Sequence, residues 1–379
     1  MKPNLKDFAQ SLGLSPTTVS RALAGYSDVS EATRQRVVEA ARATGYQPDP
    51  TARRLVTGRA NAVGMIVPFG ANRLGNPRFV DVVGGLANSL AEHDLDLMIV
   101  AARPGAELDT YRRHIGARSF DALIVADTLI DDPRVAFLQQ AGFPFVTYGR
   151  TRSKAPYPWF DFDNEAGARR AVARLAALGH RRIALIHGPP TVSFVAQRQA
   201  GFVAGMAAAG LTVEPSLVIE AALDRAAGRL AMAELVARHD RPTAVLVDSN
   251  LAGVGAIRAL TDAGLRPGRD LSLIVYGVIP ADILLPYRVT AIAHPTGEAT
   301  GRMMAELVVG AIEGRPSESL QRLEQPVLKE GDTDLPPPPP ADRTGAAQAR
   351  PADPVSPVGS GARTTSPPVR VRARGPTRG

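Results

Sequence analysis

The chain has 379 residues and carries 44 Lys or Arg against 37 Asp or Glu, which gives a formal net charge of +7. It contains no cysteine, so disulfides, cysteine-ligated zinc and a thiol nucleophile are excluded. The first residues lack the apolar run of a signal peptide and no stretch is long enough to span a membrane, so we expect a cytoplasmic protein.

The positive charge is concentrated at the two ends of the chain. Residues 1–59 contain nine basic and five acidic side chains, and residues 331–379 contain seven and four. Residues 60–330 contain 28 of each sign. This distribution is typical of a nucleic-acid-binding module joined to a neutral globular body.

Three short helical patterns open the chain and predict a helix-turn-helix domain over residues 1–47. A glycine that suits a left-handed C-terminal residue follows each pattern, at Gly13, Gly25 and Gly45. Ser30 is a good N-cap for the third helix. Two helices joined by a tight turn and closed by a third form this motif. The three patterns are LKDFAQSLG, PTTVSRALAG and SEATRQRVVEAARATG.

The second of these helices has the features of a DNA-reading element. Ser15 can cap it and Pro16 suits its first position. Small hydroxyls and a guanidinium on the outer face fit the major groove, although an ordinary helix with a solvated face is the alternative. The side chains expected to point inward are Leu14, Val19 and Leu23, and those expected outside are Thr17, Thr18 and Arg21.

Residues 48–59 predict a short hinge helix that becomes ordered only when something binds it. Asp49 can cap this helix, Pro50 can occupy its first position, and Gly58 can end it after about two turns. Isolated helices of that length are marginal in water.

From residue 60 to 330 the pattern predicts an α/β body of two doubly wound parallel-sheet lobes. Continuous apolar runs alternate with helical segments, as in sheets buried on both faces. The lobes are expected at about 60–160 plus 288–325 and at 163–286, with YPWFDFDN as a crossover and binding residues at the strand ends. The predicted strands are AVGMIVPF, DLMIVAA, ALIVAD, FPFVTYG, RIALIHG, TAVLVDS, LSLIVYG and VTAIAHP. Helices are predicted at Asn164–Leu178, Phe194–Ala209, Ala226–His239 and Leu251–Ala263.

Residues 331–379 predict a disordered tail rich in proline. The segment has no aromatic residue and cannot bury enough apolar surface to order itself. The alternative to a passive tail is a weak electrostatic tether to DNA through Arg370, Arg372, Arg374 and Arg378.

Residues 4–325 together closely resemble the LacI family of bacterial transcriptional regulators. The resemblance is carried by the N-terminal segment LKDFAQSLGLSPTTVSRALAGYSDVSEATRQRVVEAARATGYQPDPTARRLVTGR and by LGHRRIALIHG in the body. It implies a periplasmic-binding-protein-like body, a small-molecule effector between the lobes, and a repressor acting on a palindromic operator. It also implies a homodimer, or a tetramer, and no cofactor.

The resemblance implies a set of DNA contacts. Arg21 would contact a base edge, with a phosphate contact or an ion pair as the alternative. Leu55 would enter the minor groove and unstack one base step, or pack against the hinge of a second copy. Arg53 and Arg54 would lie along the backbone, or simply form a solvated basic face. The remaining contacts implied are Thr17 near the bases and Ser15, Thr18 and Thr33 near phosphates.

Effector contacts are implied in the same way. Arg198 in VAQRQAGF would grip hydroxyls or carboxylates, with a structural salt bridge as the alternative. Asp248, Ser249 and Asn250 end a strand and fit the cleft rim, although capping of the next helix explains them equally well. Asp163 is interpreted as an N-cap. The other effector-binding candidates are Phe194 and, more weakly, Asp127 and Arg150.

The chain departs from the family at the turn VYGV, where many members have an acid that bonds a sugar. Gly277 stands at that position. A sugar remains the first expectation for the effector, and nucleobases and organic acids remain open.

An enzyme and a sugar-binding transport protein are the rival interpretations. The six histidines show no HExxH spacing, and no P-loop or G-x-S-x-G motif occurs, so no catalytic or metal-binding residue is predicted. His187 ends a predicted strand and is interpreted as a loop histidine near the cleft. The missing signal peptide and the N-terminal helix-turn-helix argue against a transport protein.

Overall fold

The computed structural model describes residues 4–23, 26–46, 59–68, 76–280 and 286–339. The predicted hinge with Arg53, Arg54 and Leu55, and the tail beyond residue 339, lie outside the described residues. Within the described ranges, no helix is long and apolar enough to cross a membrane.

The N-terminal domain consists of three helices, as predicted: α1 (Leu5–Ser11), α2 (Pro16–Leu23) and α3 (Glu31–Thr44). Ser30 caps α3 by accepting a hydrogen bond from the Thr33 amide at 3.3 Å. Gly13 and Gly45 have φ of +65°, the left-handed conformation expected of glycine after a helix. The small core is formed by Phe8, Val19, Val37 and Tyr46, with the rings of Phe8 and Tyr46 stacked at 4.2 Å.

The local prediction for α2 is confirmed. The Ser15 hydroxyl accepts from the Thr18 amide at 3.0 Å, and Pro16 is the first helical residue. Val19 is fully buried, while Leu14 and Leu23 pack partly buried against the same core. The apolar face of α2 is therefore fully used by the domain, which leaves the opposite face for a partner.

The first lobe is built on a six-stranded sheet in the order β11-β5-β4-β3-β1-β2, in which every pairing is parallel. Helices α4 and α11 cover one face, and α5 and α6 cover the other. The helices are α4 (Pro77–Ala91), α5 (Glu107–Gly116), α6 (Pro133–Gln140) and α11 (Gly297–Ile312). The strands are β1 (Ala62–Pro68), β2 (Asp96–Ala102), β3 (Ala122–Ala126), β4 (Phe145–Tyr148), β5 (Trp159–Phe162) and β11 (Gln321–Glu324).

The second lobe repeats this plan in the order β12-β10-β9-β8-β6-β7, with β12 antiparallel to β10 and the other pairs parallel. Helices α7 and α8 pack on one face, and α9 and α10 pack on the other. The helices are α7 (Asn164–Ala177), α8 (Ser193–Ala208), α9 (Arg225–Ala237) and α10 (Asn250–Asp262). The strands are β6 (Ile183–His187), β7 (Val218–Glu220), β8 (Ala244–Val247), β9 (Ser272–Tyr276), β10 (Ala291–Ala293) and β12 (Val327–Lys329).

The structure corrects the predicted lobe boundaries. Strand β10 lies in the second sheet, whereas the prediction assigned residues 288–325 to the first lobe. The reason is main-chain pairing with β9, since the Gly277 amide donates to the Ile292 carbonyl at 2.9 Å. The chain crosses between the lobes after β5, after β10 and after β11. The predicted crossover YPWFDFDN therefore contains strand β5 before the chain leaves the first lobe.

Strand β2 also differs from expectation. Its apolar sequence predicted burial on both faces, but it forms the edge of the first sheet. Met98 and Ile99 remain 43% and 37% exposed. An apolar run alone does not distinguish an edge strand from a central one.

The start of the predicted tail is corrected as well, because residues 332–335 are part of the second lobe. The Leu273 amide of β9 donates to the Thr333 carbonyl at 2.6 Å, and Arg174 Nε donates to the buried carboxylate of Asp334 at 2.7 Å. Asp334 also accepts from the Thr290 hydroxyl, and the His180 ring contacts the Leu335 carbonyl at 2.8 Å. The proline-rich composition predicted disorder from residue 331 onward, because composition carries no information about these long-range hydrogen bonds.

We expect removal of residues 332–379 to destabilise the protein, and removal of residues 340–379 to leave its stability unchanged. The longer deletion strips buried partners from Arg174, Thr290 and His180, and each unsatisfied group costs about 1–3 kcal/mol. Urea unfolding of the two truncated chains beside the full chain measures the difference. Equal midpoints for both truncations would show that residues 332–335 contribute nothing.

Candidate functional site

The outer face of α2 presents Arg21 as its charged side chain. Its guanidinium lies against Asp28, with Nη2 at 2.5 Å and Nε at 3.1 Å from the carboxylate oxygens, and over the Tyr26 ring at 4.8 Å. The two side chains of the pair are 43% and 54% exposed. An exposed ion pair contributes little to stability, so Arg21 can exchange Asp28 for another partner at low cost.

The hydroxyl groups of Ser15, Thr18 and Thr33, which were predicted near DNA, take part in hydrogen bonds at the helix N-termini. Ser15 and Thr18 hydroxyls are 2.8 Å apart, and Thr33 pairs with Ser30 at 2.9 Å. Thr17 lies exposed at the start of α2. Because these caps fix the starts of α2 and α3, the same residues shape the outer face of the domain.

Between the lobes lies a cleft of about 440 Å³, formed where the carboxyl ends of both sheets meet. Six of the seven residues predicted at the effector site line it: Asp127, Phe194, Arg198, Asp248, Ser249 and Asn250. Other residues that line the cleft, from both lobes, include Asn76, Arg78, Phe79, Tyr148, Asp161, Leu223, Tyr276, Gly277 and His294.

Arg198, on α8, is the most constrained of these side chains. Its Nη1 donates to the main-chain oxygen and the Oδ1 of Asp248, both at 2.8 Å, and its Nε donates to Asn164 Oδ1 at 2.9 Å. The guanidinium lies over the rings of Phe194 at 4.5 Å and Tyr276 at 3.6 Å. Such a guanidinium is fixed in plane and in rotation, which suits directional recognition of a ligand.

The Asp248 carboxylate, at the end of β8, is only 1% exposed. Burial raises the pKa of this carboxyl, and the neighbouring Arg198 partly offsets the rise. The adjacent Ser249 lines the cleft and also accepts from the Ala252 amide at 3.5 Å, so it has the capping role as well. Ligand contact and capping, left as alternatives by the sequence, are compatible here.

Arg150 is placed differently from the prediction, because it is not among the residues that line the cleft. Its Nε donates to Asp161 Oδ2 at 2.8 Å. Asp161, near the end of β5, lines the cleft. Arg150 therefore lies behind the cleft wall and holds a carboxylate. Asp127, which does line the cleft, has a left-handed φ of +49° after β3.

The sequence reasoning missed several cleft residues. Tyr148, Tyr276 and His294 all stand at or just after strand ends, so the rule that located Asp127 and Asp248 could have found them. Arg78 lies at the start of α4, and no strand-end signal marks it. Its Nη1 donates to the Pro295 carbonyl at 3.0 Å, in the segment between β10 and α11.

His294 lies partly buried at the cleft. Its ring stacks on Phe162 at 3.9 Å, and burial, with Arg78 and Arg198 nearby, holds its pKa well below the ordinary value. Within the described ranges, Nε2 of this ring has no hydrogen-bond partner. Burial also raises the pKa of Tyr276 to about 12, so its hydroxyl stays protonated.

The described residues include no group of three or more His, Asp or Glu side chains that could hold a metal ion. The cleft instead combines aromatic faces with oriented hydrogen-bonding groups, and two of its carboxylates are already paired with arginines. Such a combination is typical of small-molecule binding sites.

Two family models match the chain. Residues 4–49 match the bacterial regulatory proteins of the lacI family, and residues 60–327 match the periplasmic binding proteins and sugar binding domain of the LacI family. The chain is 40% identical over 331 residues to the HTH-type transcriptional regulator RafR of Escherichia coli, covering 87% of this chain and 98% of RafR.

Two further comparisons agree. The HTH-type transcriptional regulator AglR of Rhizobium meliloti is 37% identical, with 86% of this chain and 93% of AglR covered. The structure of a CelR–cellobiose complex is 29% identical, covers 88% of this chain and 100% of its own, and superimposes with a TM-score of 0.66. The chain therefore belongs to the LacI family: it is a DNA-binding transcriptional regulator with a helix-turn-helix domain and a two-lobed effector-binding body, not an enzyme.

Proposed function

We propose that the protein is a repressor that binds a palindromic operator as a homodimer, or as a tetramer, and that a saccharide in the cleft controls its affinity for DNA. Its site of action is operator DNA in the nucleoid of the bacterial cytoplasm. The observation that carries the effector part is Arg198, held by Asp248 and Asn164 between the rings of Phe194 and Tyr276.

The charge balance of the cleft supports an uncharged, polyhydroxylated ligand. Arg198 is paired with Asp248, and Asp161 with Arg150, so these groups satisfy their charges within the protein. They still offer directional hydrogen bonds, and the aromatic rings of Phe194 and Tyr148 offer flat apolar faces. A pocket of this kind binds through orientation more than through net charge.

The size of the cleft and one relative favour a disaccharide. A volume of about 440 Å³ lies within the ordinary range of small-molecule sites. CelR, whose structure covers 88% of this chain, is described in complex with cellobiose. Gly277, where many family members carry an acid, has a φ of +90°, so a side chain there would be strained. Acidic contacts to sugar hydroxyls would come from Asp127 or Asp161 instead.

For DNA, we propose the contacts predicted from the sequence. Arg21 and Thr17 reach base edges, and Ser15, Thr18 and Thr33 lie near phosphates. Arg53 and Leu55, in the hinge, contact the backbone and the minor groove. The exposed Arg21–Asp28 pair supports the first of these roles, since its guanidinium is oriented but weakly held.

A disaccharide should stabilise the protein, and Arg198→Lys should reduce that stabilisation. Ligand at one hundred times its dissociation constant adds about 2.7 kcal/mol to the free energy of unfolding. Thermal-shift measurements with cellobiose, maltose and lactose, beside adenine and citrate, test the ligand class. Arg152→Lys is the matched control, because Arg152 forms an exposed pair with Asp131. Stabilisation by adenine or citrate alone would overturn the saccharide proposal.

Arg21→Ala should weaken operator binding by about 1–3 kcal/mol and relax the preference at one base pair of each half-site. The reason is loss of a bidentate contact to a base edge. Binding to a set of singly substituted operators at fixed salt measures both effects. Asp28→Ala serves as the control, because it frees Arg21 and should not weaken binding. A uniform loss across all operators would instead identify Arg21 as a phosphate contact.

A further inference from the structure

Asn164 occupies a junction between the two lobes. It is the first residue of α7, directly after the chain leaves the first lobe through β5, and it is only 1% exposed. Asn164 is not among the residues that line the cleft. Its side chain nevertheless lies one hydrogen bond behind Arg198 and one behind Asp161, so it can act on a ligand only through residues that it holds.

The side-chain amide of Asn164 is fully used. Its Oδ1 accepts from Arg198 Nε at 2.9 Å, and its Nδ2 donates toward Gln197 Oε1 at 2.8 Å, the Phe162 carbonyl at 3.1 Å and Asp161 Oδ1 at 3.2 Å. The Phe162 carbonyl and the Asp161 carboxylate can only accept, so they settle the orientation of this amide, because the reverse orientation would set its oxygen against both. The oxygen therefore points at Arg198.

The hydrogen bond from Nε helps to fix the orientation of Arg198. Asp248 accepts from Nη1 and Asn164 accepts from Nε, and the Tyr276 side chain also contacts the guanidinium. Asp248 alone would let the guanidinium change its tilt. With Asn164 on the opposite edge and aromatic rings on the faces, the guanidinium has one orientation.

We propose that Asn164 is a positioning residue of the effector site, which fixes the orientation of the Arg198 guanidinium and links it to the first lobe. This inference rests on the proposed role of Arg198 in binding the effector. The link to the first lobe runs through Asp161, whose other carboxylate oxygen accepts from Arg150 Nε at 2.8 Å. A ligand that moves Arg198 would therefore also displace Asn164 and Asp161. Asp161 belongs to β5, the strand after which the chain crosses between the lobes.

The positioning role can be tested without any ligand. In the full chain with ¹⁵N-labelled arginine, the Arg198 Nε–H resonance is assigned by its absence in Arg198→Lys. We expect slow hydrogen exchange of this proton in the wild type and exchange at least about tenfold faster in Asn164→Ala, because the buried acceptor is lost. Asp163→Ala is the matched control: Asp163 caps the same helix through the Ala166 amide but is not bonded to Arg198. Equal exchange in wild type and Asn164→Ala would overturn the proposal.

A double-mutant cycle separates positioning from a merely structural role. Cellobiose affinity, measured by calorimetry, should fall about tenfold in Asn164→Ala. The same substitution should change the affinity less than twofold in an Arg198→Lys background. The reason is that lysine lacks the guanidinium Nε–H that donates to Asn164. Equal losses in both backgrounds would show a general structural effect and refute the positioning role. If the wild type does not bind cellobiose, the proposed ligand is wrong. The hydrogen-exchange measurement then tests the positioning role of Asn164 by itself.

Discussion

The ion pair between Arg198 and Asp248 is 12% and 1% exposed, and the arrangement of the second lobe around the cleft depends on it. Removing two charges from water costs several kcal/mol, and their mutual attraction offsets that cost only when further hydrogen bonds satisfy the remaining atoms. The structure supplies them from different elements. Asn164 at the start of α7 accepts from Nε, and the Gly188 amide after β6 donates to Asp248 at 3.5 Å. The pair therefore ties together α7, α8 and the ends of β6 and β8.

The first lobe stabilises a buried carboxylate in a similar way. Asp161 is 3% exposed, pairs with Arg150, and accepts from the Phe162 amide at 2.8 Å. Both lobes thus present to the cleft a carboxylate that is already matched to an arginine. Because these charges are neutralised within the protein, a bound ligand gains most from hydrogen bonds and contact with aromatic rings. The two pairs meet at Asn164, which contacts Asp161 on one side and Arg198 on the other.

The charge at the DNA-binding end follows a different principle. Arg21 and Asp28 form an exposed pair, in which the attraction is weak and screened by salt. Such a pair orients the Arg21 side chain but restrains it only weakly, whereas the buried pairs of the cleft restrain their arginines strongly. A ligand can change DNA affinity only by as much as it distinguishes between two arrangements of the protein.

The sequence by itself determined the features that depend on neighbours along the chain. Ser15 and Ser30 cap their helices, and Gly13 and Gly45 end theirs, because capping is local chemistry that the residue types specify. Apolar runs located eight strands, and the parallel direction of those strands placed Asp127, Asp248 and Ser249 at one cleft, to which the family resemblance added Phe194 and Arg198. The sequence also identified Asp163 correctly as an N-cap.

Only the tertiary structure decided which partner each polar residue takes. Arg150 holds Asp161 instead of lining the cleft, β10 joins the second sheet, and residues 332–335 are bound by Arg174, Thr290 and His180. Asn164 looked like an ordinary first residue of a helix, because its partners Gln197 and Arg198 are more than thirty positions away. These outcomes depend on the distance in space between distant segments, and no pattern of neighbouring residues contains that distance.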